Sequence, residues 1–99
     1  MTKDEFADIT GIDEEAVVLE DWDIFSKAII GVDQDGMRVV YGYDRIIKAL
    51  AESYMKDDGN LSQEEATTMA VDWVDYNTLR GLPYIAEEHR PIIVFELAE

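Results

Sequence analysis

Carboxylates at alternate positions followed by glycine, Asp33-Gln34-Asp35-Gly36, are how calcium-binding loops begin, because a hard cation collects oxygens from successive turns of one loop. The continuation argues against calcium. An EF-hand loop needs an oxygen ligand at position 5, glycine at 6 and glutamate at 12, and those positions hold Met37, Arg38 and Asp44. Branched and aromatic runs on either side, Ser26 to Val32 and Met37 to Tyr43, make the segment a hairpin turn instead, with Asp35-Gly36 supplying the residue pair that tolerates the positive φ such turns require. No metal site is expected.

His89 is the single histidine, beside Glu87, Glu88 and Arg90 and just before Pro91. It reads as an exposed loop residue. Nucleophilic catalysis would need a partner for it, yet there is no cysteine, and Ser26, Ser53 and Ser62 all lie outside any glycine-rich nucleophile elbow. Glu64, Glu65, Asp72 and Asp75 have helical spacings that bring carboxylates together, but a solvated helix face explains them without a cleft. No glycine motif for phosphate is present. These residues predict a protein that is not an enzyme and takes no cofactor.

The elements around these residues follow from local pattern. Thr2 and Glu5 match a capping box ahead of a short helix anchored by Phe6 and Ile9, whereas Glu20, Asp21 and Asp23 around Trp22 read as a loop. Asp44 is placed to cap a helix with the apolar stripe Ile46, Ile47, Leu50, Ala51, Tyr54 and Met55. Ser62 and Glu65 form a second capping box, with Leu61 and Ala66 as its hydrophobic staple. The helix they open has the stripe Ala66, Met69, Ala70, Trp73, Val74 and Asn77 and stops at Gly81 and Pro83. Asn77, on the apolar side, is expected to be buried and bonded to backbone in the following turn. Pro91 to Leu97 predicts a last strand. The fold class that buries every stripe is α+β: an antiparallel sheet of three or more strands with two main helices on one face. One domain is expected, with residues 1–25 as an acidic segment and 26–97 as the body.

Twenty-three acids against eight bases give a net charge of −15 over 99 residues. Residues 1–26 hold Asp4, Glu5, Asp8, Asp13, Glu14, Glu15, Glu20, Asp21 and Asp23 against Lys3 alone, a local net of −8. Direct nucleic-acid binding is excluded by repulsion. A hydrophobic content of 47% exceeds that of a disordered acidic tail. No apolar run reaches the roughly 18 residues of a membrane span, so a cytoplasmic protein is expected. Net −15 matches the charge on roughly 26 Å of duplex DNA, which makes a basic, nucleic-acid-handling protein the expected partner. Asp13, Glu14, Glu15, Glu20, Asp21 and Asp23 would stand in for phosphates, Trp22 would insert as an anchor, and Asp72 and Asp75 would extend the stripe. A secondary interface is expected at Tyr76, Arg80 and Tyr84, where aromatic and guanidinium groups gather.

Residues 26–97 resemble small proteins of bacteriophages and mobile elements of gut Firmicutes and related bacteria. The likeness lies in Ala28-Ile29-Ile30-Gly31-Val32, the Asp-Gly turn, Val39-Val40-Tyr41, Pro91-Ile92-Ile93-Val94 and above all Tyr76-Asn77-Thr78-Leu79-Arg80-Gly81-Leu82-Pro83-Tyr84. The resemblance implies a genomic setting and brings no activity with it. In that setting the charge suggests an inhibitor, of the anti-CRISPR kind, that competes with nucleic acid for a host protein. The alternative is an acidic interaction module that forms homodimers without mimicking nucleic acid.

Overall fold

In the computed structural model, which describes residues 1–97, both capping boxes form. The Thr2 hydroxyl accepts the Glu5 N–H at 3.1 Å and the Glu5 carboxylate accepts the Thr2 N–H at 3.4 Å, opening α1 (Lys3–Thr10). Ser62 and Glu65 make the same exchange at 3.1 and 3.2 Å to open α4 (Gln63–Trp73). Each box satisfies two donors that a helix start leaves unpaired. Gly11 closes α1 in the left-handed conformation, φ 66°, where a side chain would be strained.

Of the expected loop at Glu20–Asp23, Trp22 and Asp23 are helical and Glu20 and Asp21 are not. The Asp21 carbonyl accepts from Ile24 at 3.1 Å and from Phe25 at 2.9 Å, giving α2 (Trp22–Phe25), which runs into a 3-10 turn at Ser26–Ala28. This shortens the first strand to β1 (Ile29–Val32), since the helical turns bury Phe25 and Ala28. β1 pairs antiparallel with β2 (Val39–Gly42), with a register irregularity between Ile29 and Gly31. The turn between them forms, with Gly36 alone of the Asp35-Gly36 pair at positive φ, 69°, and the Gly36 N–H donates to the Asp33 carbonyl at 2.9 Å. Asp33 Oδ1 accepts from Met37 and Arg38 at 2.9 and 3.1 Å, so this carboxylate serves the turn.

α3 (Tyr43–Asp57) follows β2 directly, with Gly42 in place of Asp44 at the N-cap. Asp44 sits in the first turn, where its charge complements the positive helix end. The expected stripe is inward: Ile46, Ile47, Leu50 and Ala51 are buried, and Tyr54 and Met55 pack partly buried against the core. α4 packs along α3 and turns inward Ala66 and Ala70, small residues that permit close approach. Its continuation changes pitch, because Val74–Leu79 forms a π-helical turn. The buried series is Ala66, Ala70, Val74 and Thr78, narrower than the expected stripe: Met69 and Trp73 are partly exposed within α4, and the wider turn places Thr78 inside in place of Asn77. Asn77 is therefore exposed, contrary to the sequence expectation, and its amide donates back to the Trp73 carbonyl at 3.0 Å.

A further 3-10 turn, Leu82–Tyr84, precedes β3 (Ile92–Val94). The strand order is β1-β2-β3, and β3 lies parallel to β2 with Tyr41 opposite Ile93. Parallel pairing needs a long crossover, which α3 and α4 supply. The result is the α+β class, a mixed three-stranded sheet with one antiparallel and one parallel pairing and helices against it. One apolar cluster runs from Phe6 in α1 through Phe25, Val39, Tyr41, Ile46 and Leu50 to Val74, so the amino-terminal helix shares the core of the body. Among the described residues, no helix is long and apolar enough to cross a membrane.

Candidate partner-binding groove

An open groove of about 730 Å³ lies where α2, α3 and α4 meet. Its apolar lining includes Trp22, Phe25, Leu50, Tyr54 and Trp73, and its carboxylates are Glu20, Asp21 and Asp57, with Lys3 also present. Beyond Tyr54 and Trp73, which border both, a second hollow of about 420 Å³ is lined by Met69, Asp72 and Tyr76. Aromatic faces with carboxylates around them therefore run continuously from Glu20 to Asp72. Such a surface suits a long basic side chain, because ring faces attract cations and apolar stems while the acids take the charge.

The floor is held from below. Phe25 stacks on Trp73 with ring centroids 5.8 Å apart, and Phe6 packs against Trp22 at 5.7 Å. Trp22 Nε1–H donates to the Met1 carbonyl at 3.1 Å. Trp22 is half-buried, its edge bonded to Met1 and its ring against Phe6 of α1, and it lines the groove. Tyr54 is partly buried, which raises its phenol pKa above the ordinary 10.0, so it presents a neutral hydroxyl.

Of the acids singled out in the sequence, Glu20, Asp21 and Asp72 come together in this surface. Asp13 and Glu15 lie apart from it, beside His89, with the Asp13 N–H donating to the Gly36 carbonyl of the hairpin turn at 2.7 Å. Glu14 and Asp23 are exposed and line neither hollow. Asp75 accepts a 3.3 Å hydrogen bond from the Tyr43 hydroxyl. Burial first, then the Asp75 charge, raises the Tyr43 pKa.

Of the secondary interface, Arg80 lies over the Tyr76 ring at 4.4 Å. Tyr76, 69% exposed, belongs to the groove surface, and Tyr84, 92% exposed, stands outside it. The bases are partly segregated, since Lys27, Arg45 and Lys48 share a separate hollow with Glu52.

Tyr54, Trp73 and Asp57 were missed because their helical periodicity assigned the first two to core stripes and the third to a helix end. The available signal was amphipathic chemistry: a Trp and a Tyr carry polar edges and seldom vanish completely into a core. His89 departs from its expected exposure. Its side chain is only 16% exposed, because the Val17 N–H holds the His89 carbonyl at 3.1 Å and lays the acidic segment over this loop. Compared with protein-family models, curated proteins and solved structures, the chain matches none.

Proposed function

We propose that the protein is a non-enzymatic binder of a basic host protein that handles nucleic acid, and that it inhibits this partner by occupying the surface meant for DNA or RNA. The observation that carries the reading is the aromatic groove bordered by Glu20, Asp21 and Asp57 and continued by Asp72, in a chain of net charge −15. Lysine and arginine side chains that normally meet phosphates would enter this groove. Phosphate-binding arginines also stack on aromatic faces, so the groove offers them more than charge.

Magnitudes favour local competition over imitation of a whole duplex. A duplex as long as the molecule's 42 Å axis would carry about 25 charges, and the protein's excess is smaller and spread over several faces. RNA-guided effector nucleases, which hold nucleic acid in positively charged channels, are suitable partners to test. Binding to such a nuclease should weaken steeply as salt rises and be displaced by duplex DNA. A complex indifferent to both removes the reading.

A second reading, a homodimerising module, is favoured by a different surface. Met1, Ile9 and Ile30 are exposed and line an apolar hollow of about 490 Å³ beside β1, a strand that among the described residues is paired on one side only. Sedimentation over a range of concentrations separates the two. A salt-insensitive dimer without affinity for basic nucleases supports the module.

A further inference from the structure

We propose that Asp13, Glu15 and His89 form a binding site for one divalent transition-metal ion of the zinc type. Two independent features point there. The first is donor geometry: one atom from each residue lies within 4.8 Å of the others, with His89 Nε2 at 3.8 Å from Asp13 Oδ1 and 3.7 Å from Glu15 Oε2. Zinc bonds of about 2.0–2.2 Å at tetrahedral angles hold ligand atoms roughly 3.3–3.5 Å apart, so the two His89 pairs need to close by a few tenths of an ångström and the carboxylate pair, within 4.8 Å, by little more than about 1 Å at most. Glu15, the most exposed of the three at 74%, can supply that movement.

The second feature is the imidazole itself. His89 Nε2 is buried, and no described residue hydrogen-bonds to it. A buried polar atom without a partner is costly, and this one faces two carboxylates at distances too long for hydrogen bonds. A cation between them resolves both deficits, since it takes the imidazole lone pair and neutralises the acids. An imidazole with two carboxylates is a donor set for zinc or a neighbouring transition ion, whereas calcium and magnesium prefer oxygen alone.

The surrounding backbone keeps the donors in place. Arg90 donates to the Ile85 carbonyl through Nε and Nη2 at 3.2 and 3.0 Å, and Arg38 Nε donates to the Arg90 carbonyl at 2.7 Å. The loop presenting His89 is thus fixed to the β1–β2 hairpin, as is Asp13 through Gly36. A metal ion here would tie the acidic segment to the loop that leads into β3. This site is separate from the groove and does not depend on the partner proposed above.

Because His89 is the single histidine, its ring nitrogens can be followed alone by nitrogen-15 NMR in the full-length, metal-free protein at neutral pH. One equivalent of Zn²⁺ is expected to shift Nε2, and the melting temperature should rise with zinc concentration. Excess Ca²⁺ should leave the ring unmoved. Asp13→Asn should weaken zinc binding by about tenfold or more, and Asp72→Asn should not weaken it. An imidazole signal unmoved by several equivalents of Zn²⁺, or moved equally by Ca²⁺, overturns the proposal. The ring readout on the unaltered protein decides the matter even if Asp13→Asn fails to fold.

Discussion

Two of the regions where carboxylates gather in this molecule differ in what lies among them. In the groove, Glu20, Asp21 and Asp57 surround Trp22, Tyr54 and Trp73, side chains that leave room for an incoming cationic chain. Beside the hairpin turn, Asp13 and Glu15 instead face a nearly buried imidazole nitrogen, a setting with room for an ion and for little else. Net charge alone treats the two as equivalent. The difference between them is set by the neighbouring side chains: aromatic faces make an acidic surface a candidate for a protein partner, and a ring nitrogen makes it a candidate for a metal.

The largest effect that would sharpen this contrast is on partner binding. Reversing Glu20, Asp21 and Asp57 together to lysine should weaken the complex by about 100-fold or more, as measured by calorimetry. The same reversal at Asp13 and Glu14 should cost about fivefold or less, through long-range charge alone. Equal losses would mean that the groove has no special part in binding.

Stability gives the next contrast. Trp73→Ala removes the ring stacked on Phe25 and should cost about 2 kcal/mol, less than a fully buried tryptophan because the residue is 37% exposed. Tyr76→Ala, on the same surface but exposed, should stay within about 0.5 kcal/mol in denaturant melts. Its effect should appear in binding.

Tyr41 offers a pH test of how the acidic segment is attached. Its hydroxyl accepts the Leu19 N–H at 2.9 Å, and burial raises its pKa above the ordinary 10.0, with the Leu19 bond opposing in part. The unfolded chain thus ionises first. Stability from this group is intact below about pH 10 and falls as pH rises through the raised folded value. Tyr41→Phe should lose about 1 kcal/mol at neutral pH, since the Leu19 N–H is left unpaired, and should show a shallower alkaline decline.

The smallest expected effects concern the caps. Ser62→Ala should cost about 1 kcal/mol in global stability. Thr2→Ala should cost less globally and act mainly on α1, which contributes one buried residue, Phe6, to the core. Hydrogen exchange would show that loss confined to residues 3–10.

How much could be read from the sequence followed the range of the interactions involved. Thr2 with Glu5 and Ser62 with Glu65 are separated by three residues, and the Asp33–Gly36 turn closes over four, so their chemistry is written locally. The α3 stripe was legible for the same reason. Asn77 was misplaced because a π-helical turn over Val74–Leu79 rotates side chains away from the 3.6-residue period without announcing itself in residue types. The parallel pairing of β3 depends on where the helical crossover delivers the chain. His89 joins Asp13 across 76 positions of sequence through the Val17 bond, and the grouping of Glu20 with Asp57 and Asp72 likewise arises only when α2, α3 and α4 pack together. Local pattern counted the acids correctly and had no means of assigning them to faces.

The most direct test of the central claim is the affinity for an RNA-guided nuclease, measured across a series of salt concentrations for the native protein and for the Glu20, Asp21 and Asp57 triple-lysine variant. Native binding should decline linearly on logarithmic axes and yield to duplex DNA, and the variant should bind weakly with a flatter slope. Native and variant lines that coincide would contradict the assignment of the groove as the binding surface.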